Sequence, residues 1–300
     1  MGLQTPFNGA MARETWIASP PMRIDIGDGV RLFVDVVGSS LDPTPDAMRD
    51  KPTLLLLHGG PGFDHSSFRP YFDRFADTHQ VVYYDHRGNG RSDQLDDPTG
   101  WDLDTWADDV VRLCDALEIT APVVLGNSFG GFVAMTYAAR HPEHPAALVL
   151  SSTQARRHAE ETARRFELLG GPEARENYES LFVRLETDRA ARYLAENLPL
   201  YNRRESGFGP ERTRMNFALL DHFTRTFGGM DLRPRLASIT CPTLVLCGAD
   251  DPMTPVLASE EIVDLLPPGL GRLEVFDDCG HGTFRDQPDP TEAVLREFLA

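Results

Sequence analysis

The sequence predicts an α/β fold: a mostly parallel central sheet flanked by helices, with a helical cap inserted late in the chain. Three observations carry this. Short β-type runs alternate with helical spacings through residues 22–151 and again from 243 onward. Continuous apolar runs such as Thr53–Leu57 read as strands buried on both faces, as a parallel sheet requires. Between the two alternating regions, 152–235 is rich in Arg, Glu, Leu and Phe at helical spacing and offers no convincing strand. The expected organisation is a core domain of 1–151 and 236–300 with the cap at 152–235. A chain of 300 residues suits one such domain with an insertion better than two independent domains.

In chain order, 22–26 and 30–37 read as an opening hairpin around Gly27-Asp28-Gly29, and the Pro- and Asp-rich 39–51 as a surface loop. Thr53–Leu57 is a strand, 68–77 an amphipathic segment and Gln80–Tyr84 the next strand. Helical spacing of Val110, Val111, Cys114 and Leu117 marks 105–117. A short strand at 122–125, a helix at Phe129–Arg140 ending before Pro142, and a strand at Ala147–Ser151 complete the first half. After the cap come a strand at 243–247, a helix at Val256–Leu265, a strand at 272–276 and a last helix from Pro290.

The net charge of −17 makes a surface that repels phosphate backbones and anionic headgroups, which argues against nucleic-acid and membrane partners. Residues 1–21 lack a basic stretch followed by an apolar one, so no secretory signal is expected. The four cysteines, Cys114, Cys241, Cys247 and Cys279, have no metal-type spacing and fit buried reduced thiols, consistent with a cytoplasmic protein.

Gly126-Asn127-Ser128-Phe129-Gly130-Gly131 fits G-x-S-x-G between an expected strand and an expected helix. Such a turn lifts the serine Oγ above the sheet edge, while the following helix aims its N-terminal N–H groups at developing negative charge. His58-Gly59-Gly60-Pro61-Gly62 follows the strand Thr53–Leu57, where a glycine-rich loop can turn an N–H inward. The oxyanion donors are assigned to the N–H groups of Gly60 and Phe129. Gly248-Ala249-Asp250-Asp251-Pro252 and Gly280-His281-Gly282 each follow a strand, at the carboxyl edge where ligands collect in open α/β sheets. On residues alone, either aspartate is a candidate partner for His281. His141-Pro142-Glu143-His144 reads as a surface turn, because the proline breaks the helix that would align two ligands. The polar cluster 85–92 reads as a hydrogen-bonded turn supporting the glycine-rich loop.

The loop at 58–62, the cluster Asp85-His86-Arg87-Gly88-Asn89-Gly90-Arg91-Ser92, the elbow at 126–131 and the 248–251 and 280–281 segments together resemble the proline iminopeptidase branch of the α/β-hydrolases. The resemblance covers both halves of the core and not the cap. It implies the chain order serine, acid, histidine, hence a triad of Ser128, Asp251 and His281, with the acid three residues after Gly248. By that order His58 precedes the nucleophile and is a loop-shaping residue. Asn127 departs from the small residue common before the family's serine. The family's peptidases hold a substrate ammonium with cap glutamates. Here Glu160, Glu161, Glu167, Glu176, Glu179, Glu186, Glu196 and Glu205 are available, and none aligns to the family motif.

The expectation is a serine hydrolase working through an acyl-enzyme, foremost an aminopeptidase releasing a small N-terminal residue from short peptides or aminoacyl amides. One alternative is an esterase, lactonase or thioesterase on a small uncharged acyl substrate. Its cap pocket would draw on Phe182, Leu194, Leu198, Leu200, Tyr201, Phe208, Phe217 and Phe223. A non-catalytic ligand-binding module is the other. No metal or organic cofactor is called for by such chemistry.

Overall fold

The computed structural model describes residues 22–94, 98–204 and 212–300. Residues 1–21, Glu205 and Phe208 lie outside the described residues.

Ten strands are described: β1 (Met22–Asp25), β2 (Arg31–Val37), β3 (Leu41–Pro43), β4 (Met48–Asp50), β5 (Thr53–Leu57), β6 (Gln80–Tyr84), β7 (Val123–Asn127), β8 (Ala147–Ser151), β9 (Thr243–Gly248) and β10 (Gly271–Phe276). Eight form one sheet in the order β1-β2-β6-β5-β7-β8-β9-β10. The pairs β1·β2 and β2·β6 are antiparallel, and every pair from β6 to β10 is parallel.

The sheet is buried on both faces, and its residues sort by parity. Leu54 and Leu56 pack into one apolar layer with Phe68, Phe72 and Phe75, whereas Leu55 and Leu57 enter the other with Val110, Val133 and Met135. That is the period-two alternation of a strand. The first of these layers is closed by α8 (Thr283–Asp286) and α9 (Pro288–Leu299), the second by α1 (Leu103–Ala116) and α2 (Phe129–Arg140) together with α6 (Arg233–Leu236) and α7 (Val256–Leu265). Helix α1 begins where Asp102 accepts from the Thr105 N–H at 2.8 Å.

Between β8 and β9 the chain forms α3 (Ala159–Tyr178), α4 (Ala190–Glu196) and α5 (Phe217–Phe227). Helix α3 kinks at Gly171, whose φ of 74° and following Pro172 are incompatible with a straight helix. Phe166, Tyr178, Phe182 and Tyr193 give this segment a small core of its own.

Three local readings are refined. The amphipathic segment 68–77 is built from 3₁₀ turns, the end of His65–Phe68 and the whole of Tyr71–Asp77. Pro70 breaks them, since it lacks an N–H and holds Arg69 extended at ψ 142°. The loop 39–51 contains the hairpin β3·β4, closed where the Thr44 N–H donates to the Ala47 carbonyl at 2.8 Å. The last helix starts at Pro288 rather than Pro290, because proline fits the first helical turn.

Candidate active site

Strands β5, β7, β9 and β10 end at one sheet edge, and each delivers part of the site. At the end of β7, Ser128 sits at φ 54° and ψ −118°, outside the region ordinary residues favour. Two contacts hold it there: its N–H donates to the Ser151 carbonyl at 2.9 Å, and the Thr153 hydroxyl donates to the Ser128 carbonyl at 2.8 Å. The flanking glycines are sterically required. A Cβ on Gly126 would overlap the Gly130 carbonyl, and one on Gly130 the Leu57 carbonyl.

His281 follows β10 and is 5% exposed; its Nε2 lies 2.9 Å from Ser128 Oγ, and its Nδ1 lies 2.8 Å from Asp251 Oδ2. With the carboxylate accepting from Nδ1–H, Nε2 is left as an acceptor for the serine hydroxyl. Asp251 is fully buried and also accepts from the N–H groups of Met253 (2.8 Å) and Thr254 (3.0 Å) and from the Thr254 hydroxyl (2.6 Å). Asp250 points elsewhere, to the Arg203 guanidinium at 3.0 Å. The sequence offered both aspartates, and the fold brings only Asp251 to His281. Thr254 was missed by sequence reasoning, although an aspartate followed three residues later by threonine is a turn pattern that pairs such side chains.

Gly60 and Phe129 both line the same cavity as Ser128. Phe129 is the first residue of α2, so its N–H has no helical carbonyl behind it. The Gly60 loop is held from two sides. The Gly62 N–H donates to Asn89 Oδ1 at 2.9 Å, which ties the polar turn at 85–92 to it. His58 Nδ1 is 2.7 Å from the Gly59 carbonyl, and its Nε2 accepts from the His86 N–H at 3.1 Å. Those partners require a neutral ring, and burial accordingly lowers the His58 pKa below its ordinary value. Both His58 ring nitrogens are thus engaged by the loop and the neighbouring turn.

The cavity has a volume of about 660 Å³. Phe182, Leu194, Leu198, Tyr201 and Phe223 line it, as the apolar reading of the inserted segment expects. Leu200 instead packs beside Phe166 and Tyr178, and Phe217 is exposed away from it. Among the described residues no aspartate or glutamate side chain lines the cavity, whereas Arg203, Arg204 and Arg285 do. Desolvation lowers the Arg285 pKa to about 10, which leaves it cationic at neutral pH. The seven described candidate glutamates pair with arginines. Arg175 takes Glu160, Glu167 and Glu179; Arg164 and Arg165 share Glu161; Arg184 takes Glu176 and Glu186; Arg192 takes Glu196. His141 pairs with Asp108 and His144 with the Tyr137 hydroxyl, so the histidines at 141 and 144 serve a surface turn. No described helix is long and apolar enough to cross a membrane.

Comparison with known proteins agrees with this architecture. A family model described as the alpha/beta hydrolase fold matches residues 52–288. A proline iminopeptidase of Lactiplantibacillus plantarum is 29% identical over 91% of this chain and 98% of its own length. Among solved structures, a proline iminopeptidase of Mycobacterium smegmatis is 25% identical with a TM-score of 0.72, covering 93% of this chain and 97% of that one. An esterase of Exiguobacterium antarcticum shares the fold at 21% identity and the same TM-score of 0.72, covering 92% and 98%. By sequence pattern, sheet order and family match, this chain belongs to the α/β-hydrolase fold family.

Proposed function

We propose that this chain is a serine hydrolase that forms an acyl-enzyme on Ser128 and acts on small, uncharged acyl substrates such as esters, lactones or thioesters. The observation that carries the chemistry is the continuous hydrogen-bonded line from Ser128 Oγ through His281 to the buried Asp251. Ser128 Oγ attacks the substrate carbonyl carbon while its proton passes to His281 Nε2. Asp251 fixes the imidazole tautomer and stabilises the imidazolium. The oxyanion that forms is held by the N–H groups of Gly60 and Phe129, a preorganised pair whose members are each worth about 100- to 1,000-fold in rate. His281 then protonates the departing group. A water, deprotonated by the same imidazole, releases the acid and restores Ser128. The segment 152–235 serves as the cap that covers the cavity.

The choice of acyl substrate rests on the lining. Aromatic and aliphatic side chains dominate it, and no described carboxylate lines it to hold a substrate ammonium, Asp250 being engaged by Arg203. The second reading, an aminopeptidase releasing a small N-terminal residue, is favoured by the L. plantarum relative. Hydrolysis of p-nitrophenyl esters, and of prolyl- and alanyl-p-nitroanilide with free and acetylated amines, separates the two. Ester turnover with no anilide turnover supports the acyl hydrolase; turnover confined to free-amine anilides supports the aminopeptidase and overturns the first reading.

A further inference from the structure

Part of the cavity wall is an aromatic cluster that includes the residue after the nucleophile. Phe129 packs edge-on against Phe132 and Phe223, with centroids 5.5 and 4.8 Å away. Into this aromatic wall project Gln154 and Thr224, both lining the cavity. Gln154 is 1% exposed and Thr224 2% exposed, yet Gln154 Oε1 and Thr224 Oγ1 make no hydrogen bond within the protein. Buried polar atoms are nearly always paired, because an unpaired one forfeits its hydration without recompense. Three residues that line the cavity carry such an atom, Gln154, Thr224 and Asn202, and the first two are the nearly fully buried ones. They come from unrelated elements: Gln154 follows Thr153, whose hydroxyl braces the Ser128 carbonyl, and Thr224 lies on α5 beside Phe223.

We propose that Gln154 and Thr224 form a polar subsite for the acyl group, selecting substrates that carry an uncharged O–H or N–H donor on an otherwise apolar chain. This inference rests on the acyl-hydrolase reading and names its substrate class. An amide oxygen and a hydroxyl both accept hydrogen bonds, and neither carries charge, so a hydroxyl or amide substituent satisfies both without the desolvation cost of an ion. A site built to bond such a group discriminates against the analogue lacking it, since that analogue leaves the buried partners empty. The subsite also accounts for a cavity that is mainly hydrophobic yet not uniformly so, the usual design of specific ligand sites.

The test compares kcat/KM for matched p-nitrophenyl esters: 3-hydroxybutyrate against butyrate, and N-acetylglycinate against pentanoate. The wild type is expected to prefer the donor-bearing member of at least one pair. In Gln154→Leu and Thr224→Val that preference should fall about tenfold or more, chiefly through KM. Thermal denaturation supplies the second readout. If the two atoms are reserved for substrate, neither variant loses stability; a large fall in Tm for both would assign them a structural role and overturn the proposal. An unchanged preference in both stable variants would overturn it as well, the cavity atoms then meeting only solvent. A wild type that hydrolyses none of the four esters refutes the acyl-hydrolase reading itself, and this subsite with it. Full turnover without any preference refutes the subsite alone.

Discussion

The backbone N–H of His281 donates to the carbonyl oxygen of Tyr201 at 2.6 Å, and the Tyr201 ring meets the imidazole edge-on with centroids 4.9 Å apart. Tyr201 belongs to the segment between β8 and β9 and lines the cavity, so the proposed base is braced by a residue of the cavity wall. Its hydroxyl is in turn 2.7 Å from that of Tyr193 on α4. The position of His281 thus depends on contacts distant in sequence.

Gly280 makes this dependence testable. A Cβ there would overlap the Tyr201 carbonyl oxygen, a backbone atom that cannot swing aside. Gly280→Ala is expected to displace His281 from Ser128 and lower kcat by about 100-fold, the typical cost of a misplacement near 1 Å. Steady-state kinetics with circular dichroism checks it; kcat within twofold of wild type contradicts the bracing role.

Asp251 is held by four donors, of which the Thr254 hydroxyl, at 2.6 Å, is the one removable without touching backbone or His281. Thr254→Val should lower kcat/KM about tenfold, and Asp251→Asn about 10,000-fold because the imidazole takes the wrong tautomer. Asp250→Asn should leave kcat within a few-fold, since that carboxylate serves Arg203.

The buried imidazoles set an acid limit on stability. Burial lowers the pKa of His58 and drives that of His86 well down, so both stay neutral in the folded chain. Unfolded histidine titrates near 6.5, so below about pH 6.5 the unfolded state binds more protons than the folded one. Stability contributed by these groups is complete above that pH and is lost as the pH falls. Tm measured from pH 8 to pH 5 should be flat at first and then decline. A Tm that rises on acidification contradicts the neutral assignment.

All four cysteines are buried and unpaired. Desolvation pushes Cys241 and Cys247 up to about 11, Cys114 up to about 12, and Cys279 higher still. The native protein should therefore be inert to a thiol-disulfide reagent at pH 8, and all four thiols should react in denaturant. A thiol that reacts rapidly in the native state would contradict this burial.

Much of the core was legible because local chemistry and tertiary role coincide there. Thr53–Leu57 is apolar throughout because both faces are covered, and the glycines around Ser128 are dictated by the carbonyls of Leu57 and Gly130. Reading failed where a long-range partner decides. Nothing in the sequence distinguishes Gln154 from any solvated glutamine after a strand. The pairing of cap glutamates with Arg175 and Arg184 is a three-dimensional outcome that composition only hints at. The amphipathic pattern of 68–77 does not show that Pro70 divides it into separate 3₁₀ turns.

In the proposed mechanism Ser128 carries the acyl group. Rapid mixing of excess p-nitrophenyl ester with the enzyme, followed by quenching and mass analysis, reads this directly. A burst of one nitrophenolate per chain and an acyl mass on the peptide containing Ser128 are expected, both abolished in Ser128→Ala. Undiminished turnover by Ser128→Ala, or an acyl group found on another residue, would contradict it.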